Sequence, residues 1–303
     1  MDRNILVTGS SGFVGQNLRK YLTEHGISVQ ALSLKETLPP YSVYDADTIV
    51  HLAGKAHDLK NVSQPEEYYD VNFELTKKLY DAFLKSSAKK FIFISSVKAS
   101  ADQVEDVLKE SDVPDPKTHY GKSKLMAEEY IQSQPLPEGK SYCILRPCMI
   151  HGPGNKGNLN LLYKLISKGI PYPLAAFENK RSFLSIENLC FVILEIVERN
   201  DIPSGIYQVA DDEPLSTNEL VSLIAKESKH PARLWRLSPR LIKALAQFGD
   251  KFKLPLTTER LNKLTENYIV SNQKLKDALQ KELPISARDG IVKTIQSFQK
   301  KTE

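Results

Sequence analysis

The first half of the chain alternates between short apolar runs and longer segments in which apolar residues recur every three or four positions. Short apolar runs bounded by turn residues are typical of strands buried on both faces of a parallel sheet. The predicted strands are Ile5–Thr8, Val29–Ser33, Thr48–Ala53, Phe91–Ser95 and Tyr142–Arg146. The predicted helices between them are Gly12–His25, Tyr69–Ser87 and Tyr120–Ser133. This alternation predicts an α/β fold with a doubly wound parallel sheet.

The connection between the second and third predicted strands is unusually short. The interval from Leu34 to Asp47 contains Pro39 and Pro40 and leaves little room for a helix with its two loops. We therefore expect a shortened or irregular connection at that edge of the sheet.

The sequence changes in character after Arg146. A loop rich in Gly, Pro and Asn is followed by a helical pattern over Leu161–Lys168, and residues 181–200 predict a short strand and a long apolar helix. A further strand precedes a helix whose cap falls at Ser216 or Thr217, with Glu219 close behind. We predict a nucleotide-binding domain over 1–155, onto which roughly 180–210 packs back. Residues 156–303 then form a smaller, mostly helical, discontinuous substrate domain.

Composition and charge narrow the class of protein. The 303 residues are 41% hydrophobic and 26% charged, with a net charge of +4, which permits an anionic ligand without favouring nucleic acid. Cys143, Cys148 and Cys190 lack the spacing of a zinc or disulfide framework, and a reduced compartment fits them. A predicted strand begins almost at Met1, and no apolar run approaches the ~18 residues of a membrane span. We expect a cytoplasmic protein with neither nucleic-acid binding nor membrane insertion.

The first predicted strand leads into a glycine loop, "TGSSGFVG", and then a helix. In such a loop Gly9 permits a tight turn, Gly12 allows backbone to approach a pyrophosphate, and Gly15 allows close packing of helix on strand. The helix N-terminus offers unpaired N–H groups to phosphate. The loop therefore predicts a Rossmann-type dinucleotide site.

The end of the second predicted strand selects the dinucleotide. An acidic residue there binds the ribose 2′-hydroxyl of NAD and repels a 2′-phosphate. This chain has Ser33 at that position and Lys35 two residues later, and both suit a phosphate. We predict NADP(H) as the cofactor, with NAD(H) as the alternative.

Candidate acid–base residues lie in "HYGKSKLMAEEYI", where Tyr120 and Lys124 are one helical turn apart. A free tyrosine has a pKa of about 10, and a nearby ammonium, helped by an oxidised nicotinamide ring, lowers that pKa toward neutrality. Ser95 and Ser96 end a predicted strand at the sheet edge where ligands bind, and strand alternation directs one of them to the cleft.

These motifs together resemble the extended short-chain dehydrogenase/reductase family, which modifies nucleotide sugars. The resemblance covers nearly the whole chain. It rests, in order, on TGSSGFVG, HLAG, Asn72 in DVNFELT, FIFISS, YGKSK, LRP and RSFLSIENL.

The resemblance implies roles for individual residues. Ser96 is the catalytic hydroxyl, Tyr120 is the acid/base, and Lys124 lowers the pKa of Tyr120 while binding the nicotinamide ribose. Asn72 steadies the central strands. Tyr120 and Lys124 also contact the cofactor, together with Gly9, Ser11, Gly12, Phe13, Val14, Gly15, Leu52, Ala53, Gly54, Ser95 and Pro147.

The resemblance also implies a substrate site. It places Arg181 on the diphosphate of a UDP-sugar, a role that suits a guanidinium fork, and Arg260 by the same analogy. The other predicted substrate residues are Ser96, Val97, Lys98 and Asn158. Dehydratases of the family carry an Asp-Glu pair where this chain has Val97 and Lys98, so we exclude dehydration.

The predicted reaction is reduction at C4 of a UDP-linked sugar in surface-polysaccharide sugar biosynthesis. "SSVKAS", "PGNKGN" and "LTTERLNKLTENYIVSNQKL" look most like reductases of UDP-4-keto-6-deoxy-N-acetylhexosamines. One alternative is a UDP-glucose or UDP-N-acetylglucosamine 4-epimerase with tightly held NAD. Another is a non-catalytic protein that senses NAD(P).

Three further features bear on partners. His51, His57, His119 and His151 lack metal-ligand spacing, so no metal site is expected. The stretch from Ala232 to Pro255 is basic and amphipathic; we interpret it as a cover for the substrate domain, the alternative being contact with a membrane surface. By analogy with the family, the helices predicted at 69–87 and 120–133 pair across a homodimer.

Overall fold

A six-stranded, entirely parallel sheet forms the centre of the chain, with strand order β2–β1–β3–β4–β6–β10. The computed structural model describes residues 4–34, 46–55, 64–155, 157–252 and 257–299. The strands of the sheet are β1 (Asn4–Thr8), β2 (Ser28–Leu32), β3 (Thr48–His51), β4 (Lys90–Ile94), β6 (Ser141–Pro147) and β10 (Gly205–Val209). The predicted doubly wound parallel sheet is confirmed, with strand ends that differ by one or two residues from those predicted.

Short strands pair outside this sheet. They are β5 (Val107–Leu108) with β12 (Ile269–Val270), β7 (Met149–His151) with β9 (Phe183–Ser185), and β8 (Lys180–Arg181) with β11 (Leu215–Ser216). The β5–β12 and β7–β9 ladders join the C-terminal half to segments that precede it, and β8–β11 lies within that half.

Helices flank the sheet and build the C-terminal half. They are α1 (Phe13–Glu24), α2 (Pro65–Tyr69), α3 (Leu75–Lys85), α4 (His119–Ser133), α5 (Asn158–Ile166), α6 (Ile186–Glu198), α7 (Thr217–Glu227), α8 (Pro239–Phe252), α9 (Thr258–Thr265), α10 (Gln273–Leu279) and α11 (Ala287–Gln299). The single helix predicted over Tyr69–Ser87 is corrected, because a π-helical turn, Asp70–Glu74, joins α2 to α3. Among the described helices, none has the length and apolar character needed to cross a bilayer.

The topology creates a crevice at one edge of the sheet. β2 and β3 lie on opposite sides of β1, so the winding direction reverses there. In open parallel sheets, ligands bind beyond the carboxyl ends of the strands at this reversal. The short connection expected between Leu34 and Asp47 falls on residues 35–45, which lie outside the described part of the chain.

The interior contains three hydrophobic cores. One lies on the face of the sheet that α6 covers. Tyr268, Val270, Leu275 and Leu279 belong to the same core, so a second segment of the C-terminal half also packs onto the sheet. The second core lies between the sheet and helices α3 and α4. The third core is built by α5, α7, α8, α9 and α11. The predicted domain boundary at 155 remains a prediction.

Two local predictions are resolved by side-chain contacts. Ser216, not Thr217, caps α7, and its reciprocal bonds with Glu219 form a capping box. The three cysteines are buried and form no disulfide.

A buried ion pair fixes α4 to the sheet. Arg146 on β6 donates from Nε to both carboxylate oxygens of Glu128, at 3.1 Å, and from Nη2 at 2.5 Å. The two side chains are 1% and 0% exposed. The hydroxyl of Ser95, which follows β4, donates to the same carboxylate. One carboxylate on α4 therefore binds groups from two neighbouring segments of the sheet.

We predict that Arg146→Met lowers the free energy of unfolding by about 3 kcal/mol or more, because it leaves the Glu128 carboxylate buried without its cation. Urea titration followed by circular dichroism measures the change. The control is Lys293→Met, which removes an exposed pair with Glu187 and is expected to cost less than about 1 kcal/mol. An equal loss of unfolding free energy in the two variants would contradict the stabilising role of the Arg146–Glu128 pair.

Candidate active site

The glycine loop between β1 and α1 has the backbone geometry that its sequence predicts. Gly9 has a φ of +66°, and a Cβ there would lie 2.7 Å from the nitrogen of Ala53. A Cβ on Gly15 would lie 2.3 Å from the carbonyl oxygen of Gly9, so only glycine lets the helix approach the loop this closely. For Gly12 the nearest such contact is that same oxygen, at 3.3 Å. The exposed backbone of Gly12 therefore remains approachable from outside.

The N-terminus of α1 points into this loop. Gly12 is the N-cap residue, and no side chain caps the helix. Phe13 and Val14 pack against the sheet core, and the carbonyl of Ser11 accepts a bond from Gln16 at 2.7 Å. Helix N–H groups at the end of a positive macrodipole suit phosphate oxygens. The loop residues Gly9 to Gly15 therefore fit the pyrophosphate of a dinucleotide.

The adjacent strand ends complete the groove for such a ligand. Ser33 is exposed directly after β2, where an acidic residue would favour NAD. Lys35 lies outside the described residues. After β3, Leu52 packs on the core and the nitrogen of Ala53 donates to Thr8 Oγ1 at 3.1 Å. At the next strand end, Pro147 is the last residue of β6.

Ser96 and Tyr120 are brought together beyond the carboxyl end of β4. The Ser96 hydroxyl caps a short 3₁₀ turn, Val97–Ala99, by accepting a bond from the nitrogen of Lys98 at 3.2 Å. The Ser96 side chain also hydrogen-bonds the Tyr120 phenol. The sequence prediction that one of the two serines faces the cleft is thus resolved by contacts, since the Ser95 hydroxyl binds Glu128 instead.

The surroundings of Tyr120 shift its pKa. Burial raises the pKa of Tyr120 above its ordinary value of 10, the hydrogen bond with Ser96 opposes this, and nearby Tyr68 adds to the rise. The expected lowering of this pKa by Lys124 together with oxidised nicotinamide stays a prediction. The phenol is protonated at neutral pH.

Lys124 lies one turn along α4 from Tyr120 and is buried. Its ammonium donates to the carbonyl of Ile94 at 2.9 Å and lies 4.7 Å from the ring centroid of Phe93. Burial lowers the pKa of Lys124 to about 8, and the carboxylate of Glu128, one turn along α4, opposes the shift. The positive charge of the buried Lys124 is therefore favoured by the Glu128 carboxylate.

Asn72 connects the nucleotide groove to the catalytic helix. Its amide exchanges bonds with the backbone of Lys55 at 2.8 and 3.1 Å and donates to Ser123 on α4 at 3.0 Å. A Cβ on Gly54 would lie 2.9 Å from Asn72 Oδ1 and 3.1 Å from Lys124 Nζ. The structure therefore gives Asn72 contacts with the loop after β3 and with α4, and Gly54 permits their close approach.

Sequence reasoning missed the residues that place the start of α4. The Asp102 carboxylate accepts bonds from the nitrogens of Lys117, at 2.7 Å, and Thr118, at 3.2 Å. Thr118 caps α4 through the nitrogen of Gly121. A Cβ on Gly121 would lie 2.4 Å from the carbonyl oxygen of Lys98. The glycine within YGKSK was the available signal for this contact, whereas nothing in the sequence distinguishes Asp102.

His51 has a structural role. Its ring nitrogens bond Thr8 at 2.7 Å and Thr76 at 2.9 Å, and burial lowers its pKa to about 3, so the ring is neutral. His57 lies outside the described residues. Within residues 4–34, 46–55, 64–155, 157–252 and 257–299, no group of three His, Cys, Asp or Glu side chains is arranged to hold a metal ion.

The predicted substrate residues occupy different surroundings. Val97 is buried in the sheet core. The ammonium of Lys98 donates to the carbonyl of Asp102 at 2.8 Å and lies 4.2 Å from the ring centroid of Tyr268. The side chain of Asn158 is outside the described part of the chain.

The two predicted arginines lie on different elements of the C-terminal half. Arg181 on β8 is paired with Glu266 through its Nη2, at 3.0 Å. Arg260 lies on the exposed side of α9, the helix that ends just before Glu266. Binding of a diphosphate at Arg181 would compete with Glu266, and both arginine roles remain predictions.

Comparison with known proteins identifies the family. Residues 5–210 match the model of the NAD dependent epimerase/dehydratase family. A Vibrio cholerae UDP-glucose 4-epimerase is 30% identical, covering 98% of this chain and 96% of its own. The N-acetyl-alpha-D-glucosaminyl-diphospho-ditrans,octacis-undecaprenol 4-epimerase of Escherichia coli O157:H7 is 31% identical, covering 73% of this chain and 71% of its own. A GDP-6-deoxy-D-mannose reductase of Pseudomonas aeruginosa is 24% identical, over 80% and 88% of the two chains.

Solved structures agree on the fold. MoeE5 in complex with UDP-glucose and NAD superposes with a TM-score of 0.77 at 19% identity, over 99% of this chain and 100% of the other. RMD from Pseudomonas aeruginosa complexed with NADPH gives a TM-score of 0.74 at 20% identity, over 98% and 99%. The family expected from the motifs is confirmed: the chain belongs to the NAD dependent epimerase/dehydratase family, which includes NAD(P)-dependent epimerases and reductases of nucleotide sugars.

Proposed function

We propose that this enzyme reduces the C4 ketone of a UDP-linked 4-keto-6-deoxy sugar, with NADPH as the hydride donor. The observation that carries the proposal is the hydrogen-bonded pair of Ser96 and Tyr120 at the carboxyl end of β4, with Lys124 one helical turn from Tyr120 and bonded to Ile94 of the same strand. A hydroxyl, a phenol and a cation at the switch-point crevice are the groups that alcohol–ketone interconversion requires.

The protein's own residues supply the proton and the polar contacts of this reaction. When bound, reduced nicotinamide supplies hydride to the C4 carbon. Tyr120 donates its phenolic proton to O4, and Ser96 hydrogen-bonds the negative charge that develops on that oxygen. Lys124 then stabilises the phenolate that remains on Tyr120.

A protonated Tyr120 is the form that reduction requires. Burial raises the pKa of the phenol, and a proton donor must begin the reaction with its proton in place. Val97 is buried, and Lys98 binds the carbonyl of Asp102. These two positions therefore lack the Asp-Glu pair that family dehydratases use to eliminate water. These features support reduction over dehydration.

A 4-epimerase is the second candidate, and the relative from Vibrio cholerae favours it. The same three residues would then move the proton at O4 while the oxidised cofactor accepts hydride from C4, and again while the reduced cofactor returns it to the other face. In that reaction Tyr120 must begin as a phenolate, so its raised pKa would have to be overcome when oxidised cofactor binds. A non-catalytic NAD(P)-sensing protein would not need a hydrogen bond between Ser96 and Tyr120, or a lysine one helical turn from that tyrosine, and this arrangement argues against it.

The proposed cofactor depends on Ser33, and the proposed substrate and homodimer depend on the relatives and the family. Ser33 after β2 leaves no carboxylate to repel a 2′-phosphate. Relatives named for UDP-sugars support a UDP-linked substrate. A homodimer formed through α3 and α4 remains the expectation from the family.

The proposal makes a prediction about the reaction itself. Mixing the enzyme with a UDP-4-keto-6-deoxy-N-acetylhexosamine and NADPH should decrease the absorbance of reduced nicotinamide in proportion to the sugar reduced. Tyr120→Phe should lower kcat by about 10²–10⁴-fold, because no proton donor remains at O4. Tyr130→Phe, on the same helix but bound to Asp81, is the matched control and should retain activity.

Two outcomes would contradict the proposal. Interconversion of UDP-sugars at C4 without net consumption of NADPH or NADH would establish the epimerase instead. Full activity of Tyr120→Phe would remove the phenol from the mechanism.

The second prediction is a pH dependence that follows from Lys124. Its pKa of about 8 means that its positive charge is present at lower pH and is lost as pH rises through about 8, so kcat should fall above that value. Glu128→Gln removes the opposing negative charge and should move this alkaline limb to lower pH by roughly one unit. Initial rates of NADPH oxidation across pH give the profile.

The control for this measurement is the neighbouring exposed Glu129, as Glu129→Gln, which should leave the profile unchanged. Thermal melting shows whether the Glu128→Gln enzyme is folded at each pH. An alkaline limb that stays at the same pH in folded Glu128→Gln would exclude this electrostatic role.

The third prediction concerns the cofactor. Ser33→Asp should raise KM for NADPH by about tenfold or more and lower KM for NADH, because the carboxylate repels the 2′-phosphate and accepts bonds from the 2′-hydroxyl. Ser33→Ala is the control for loss of the hydroxyl. Parent enzyme that uses NADH and NADPH equally well would contradict the proposed preference.

A further inference from the structure

Helix α8 has two apolar faces, and only one of them packs on the protein. Ile242, Ala246 and Gly249 are buried, and the first two belong to the third core. A second set of large apolar side chains lies on the same helix and is about half exposed. It consists of Leu241 (52%), Leu245 (49%), Phe248 (53%) and Phe252 (54%), and we call it the α8 stripe.

The α8 stripe forms one continuous row. Its members are spaced by four, three and four positions, which places them on one face of the helix over a length of about 16 Å. The rings of Phe248 and Phe252 pack with centroids 4.3 Å apart. The sequence analysis interpreted this segment as a cover for the substrate domain. One face of α8 does pack on the protein, but the row of large apolar side chains faces outward.

More exposed apolar residues precede and follow the helix in sequence. Trp235 is 55% exposed and Leu237 is 37% exposed. The backbone of Trp235 is fixed, because its nitrogen donates to Tyr172 at 2.9 Å and its carbonyl accepts from Ala175 at 3.3 Å. On α9, which follows α8, Leu264 is 49% exposed. Exposed apolar surface of this extent marks an interaction site.

The charges beside the α8 stripe are positive. Arg236, Arg240 and Lys251 are all exposed. By helical geometry Arg240 and Lys251 lie about a quarter turn from the stripe, on the side opposite the face that packs on the protein. The acid of the helix, Asp250, accepts bonds from the nitrogen and hydroxyl of Thr258, the first residue of α9, at 3.0 and 2.6 Å. The outer flank of the stripe is therefore basic.

We propose that the α8 stripe docks on the surface of an anionic lipid bilayer, with α8 lying in the plane of the interface. Leucine and phenylalanine side chains enter the boundary between head groups and acyl chains in such helices, while lysine and arginine at the flank bind lipid phosphates. A partly exposed tryptophan next to the helix suits the same layer.

The charge pattern favours a bilayer over a second copy of the chain. In an antiparallel two-fold contact through the stripe, the basic flank of one protomer would meet the basic flank of the other, and like charges brought together are unfavourable. An anionic surface instead neutralises these cations. The proposal is independent of the reaction catalysed, because none of the catalytic groups lies on α8.

The full-length protein tests the proposal by sedimentation with vesicles. Vesicles of phosphatidylcholine alone are compared with vesicles of phosphatidylcholine and phosphatidylglycerol in a ratio of about two to one. We expect at least about tenfold stronger partitioning to the anionic vesicles, weakened by added salt. Trp235 is the single tryptophan of the chain, so its emission should shift to the blue on these vesicles.

Variants separate the apolar and basic contributions. The combined substitution Leu241→Ser, Leu245→Ser and Phe248→Ser, and separately Arg240→Glu with Lys251→Glu, should each lower partitioning by about tenfold or more. Controls are Val113→Ser, at a side chain that is 88% exposed, and Arg19→Glu, at an exposed arginine on α1. Thermal melting and NADPH binding verify that every variant is folded.

Several results would overturn the proposal. One is that the parent protein does not sediment with anionic vesicles. Another is that the folded triple variant sediments as well as the parent. A third is that the triple substitution converts a dimer to a monomer in size-exclusion chromatography without vesicle binding by the parent, which would assign the stripe to a second copy.

Discussion

The buried contact between Arg146 and Glu128 is the interaction on which the position of the catalytic helix depends. Placing two charges in the interior is costly, and the cost is offset here by three donations from arginine to carboxylate and a further one from Ser95. Glu128 thereby ties α4 to the segments of β6 and β4. Lys124 lies one turn away on the same helix, and the Glu128 carboxylate raises the pKa of its ammonium, which favours the positive charge.

A second constraint is the close approach of backbone to backbone around the site. At Gly9, Gly15 and Gly121 a side chain would collide with neighbouring backbone atoms. These contacts set the loop against β3, α1 against the loop, and α4 against the turn after Ser96. The phenol and the serine hydroxyl therefore meet because rigid elements are packed together, and no flexible side chain has to span the distance between them.

Much of this arrangement was predictable because it depends on local periodicity and on short motifs. Apolar runs gave the strands of the sheet, and the glycine spacing gave the turn at Gly9. The Ser216 cap and the pairing of Tyr120 with Lys124 on one helix were visible in the same way. Each of these features depends on residues within one or two turns of each other, where chain geometry leaves few alternatives.

The features that escaped prediction depend on contacts between distant segments. The partnership of Arg146 with Glu128, the anchoring of Thr118 by Asp102, and the π-helical turn before Leu75 all arise from tertiary packing. The raised pKa of Tyr120 depends on how deeply α4 packs, which no spacing rule reports. The outward orientation of the α8 stripe also escaped, because an amphipathic pattern gives the existence of an apolar face and not what covers it.

The central claim is that Ser96, Tyr120 and Lys124 carry out a net reduction at C4. NADPH carrying deuterium at the transferred position, incubated with the UDP-4-keto-6-deoxy sugar, tests it directly when the product is analysed by NMR. The account predicts one deuterium at C4 for each NADPH consumed. A product that carries only ordinary hydrogen at C4, with the label still on the cofactor, would contradict it.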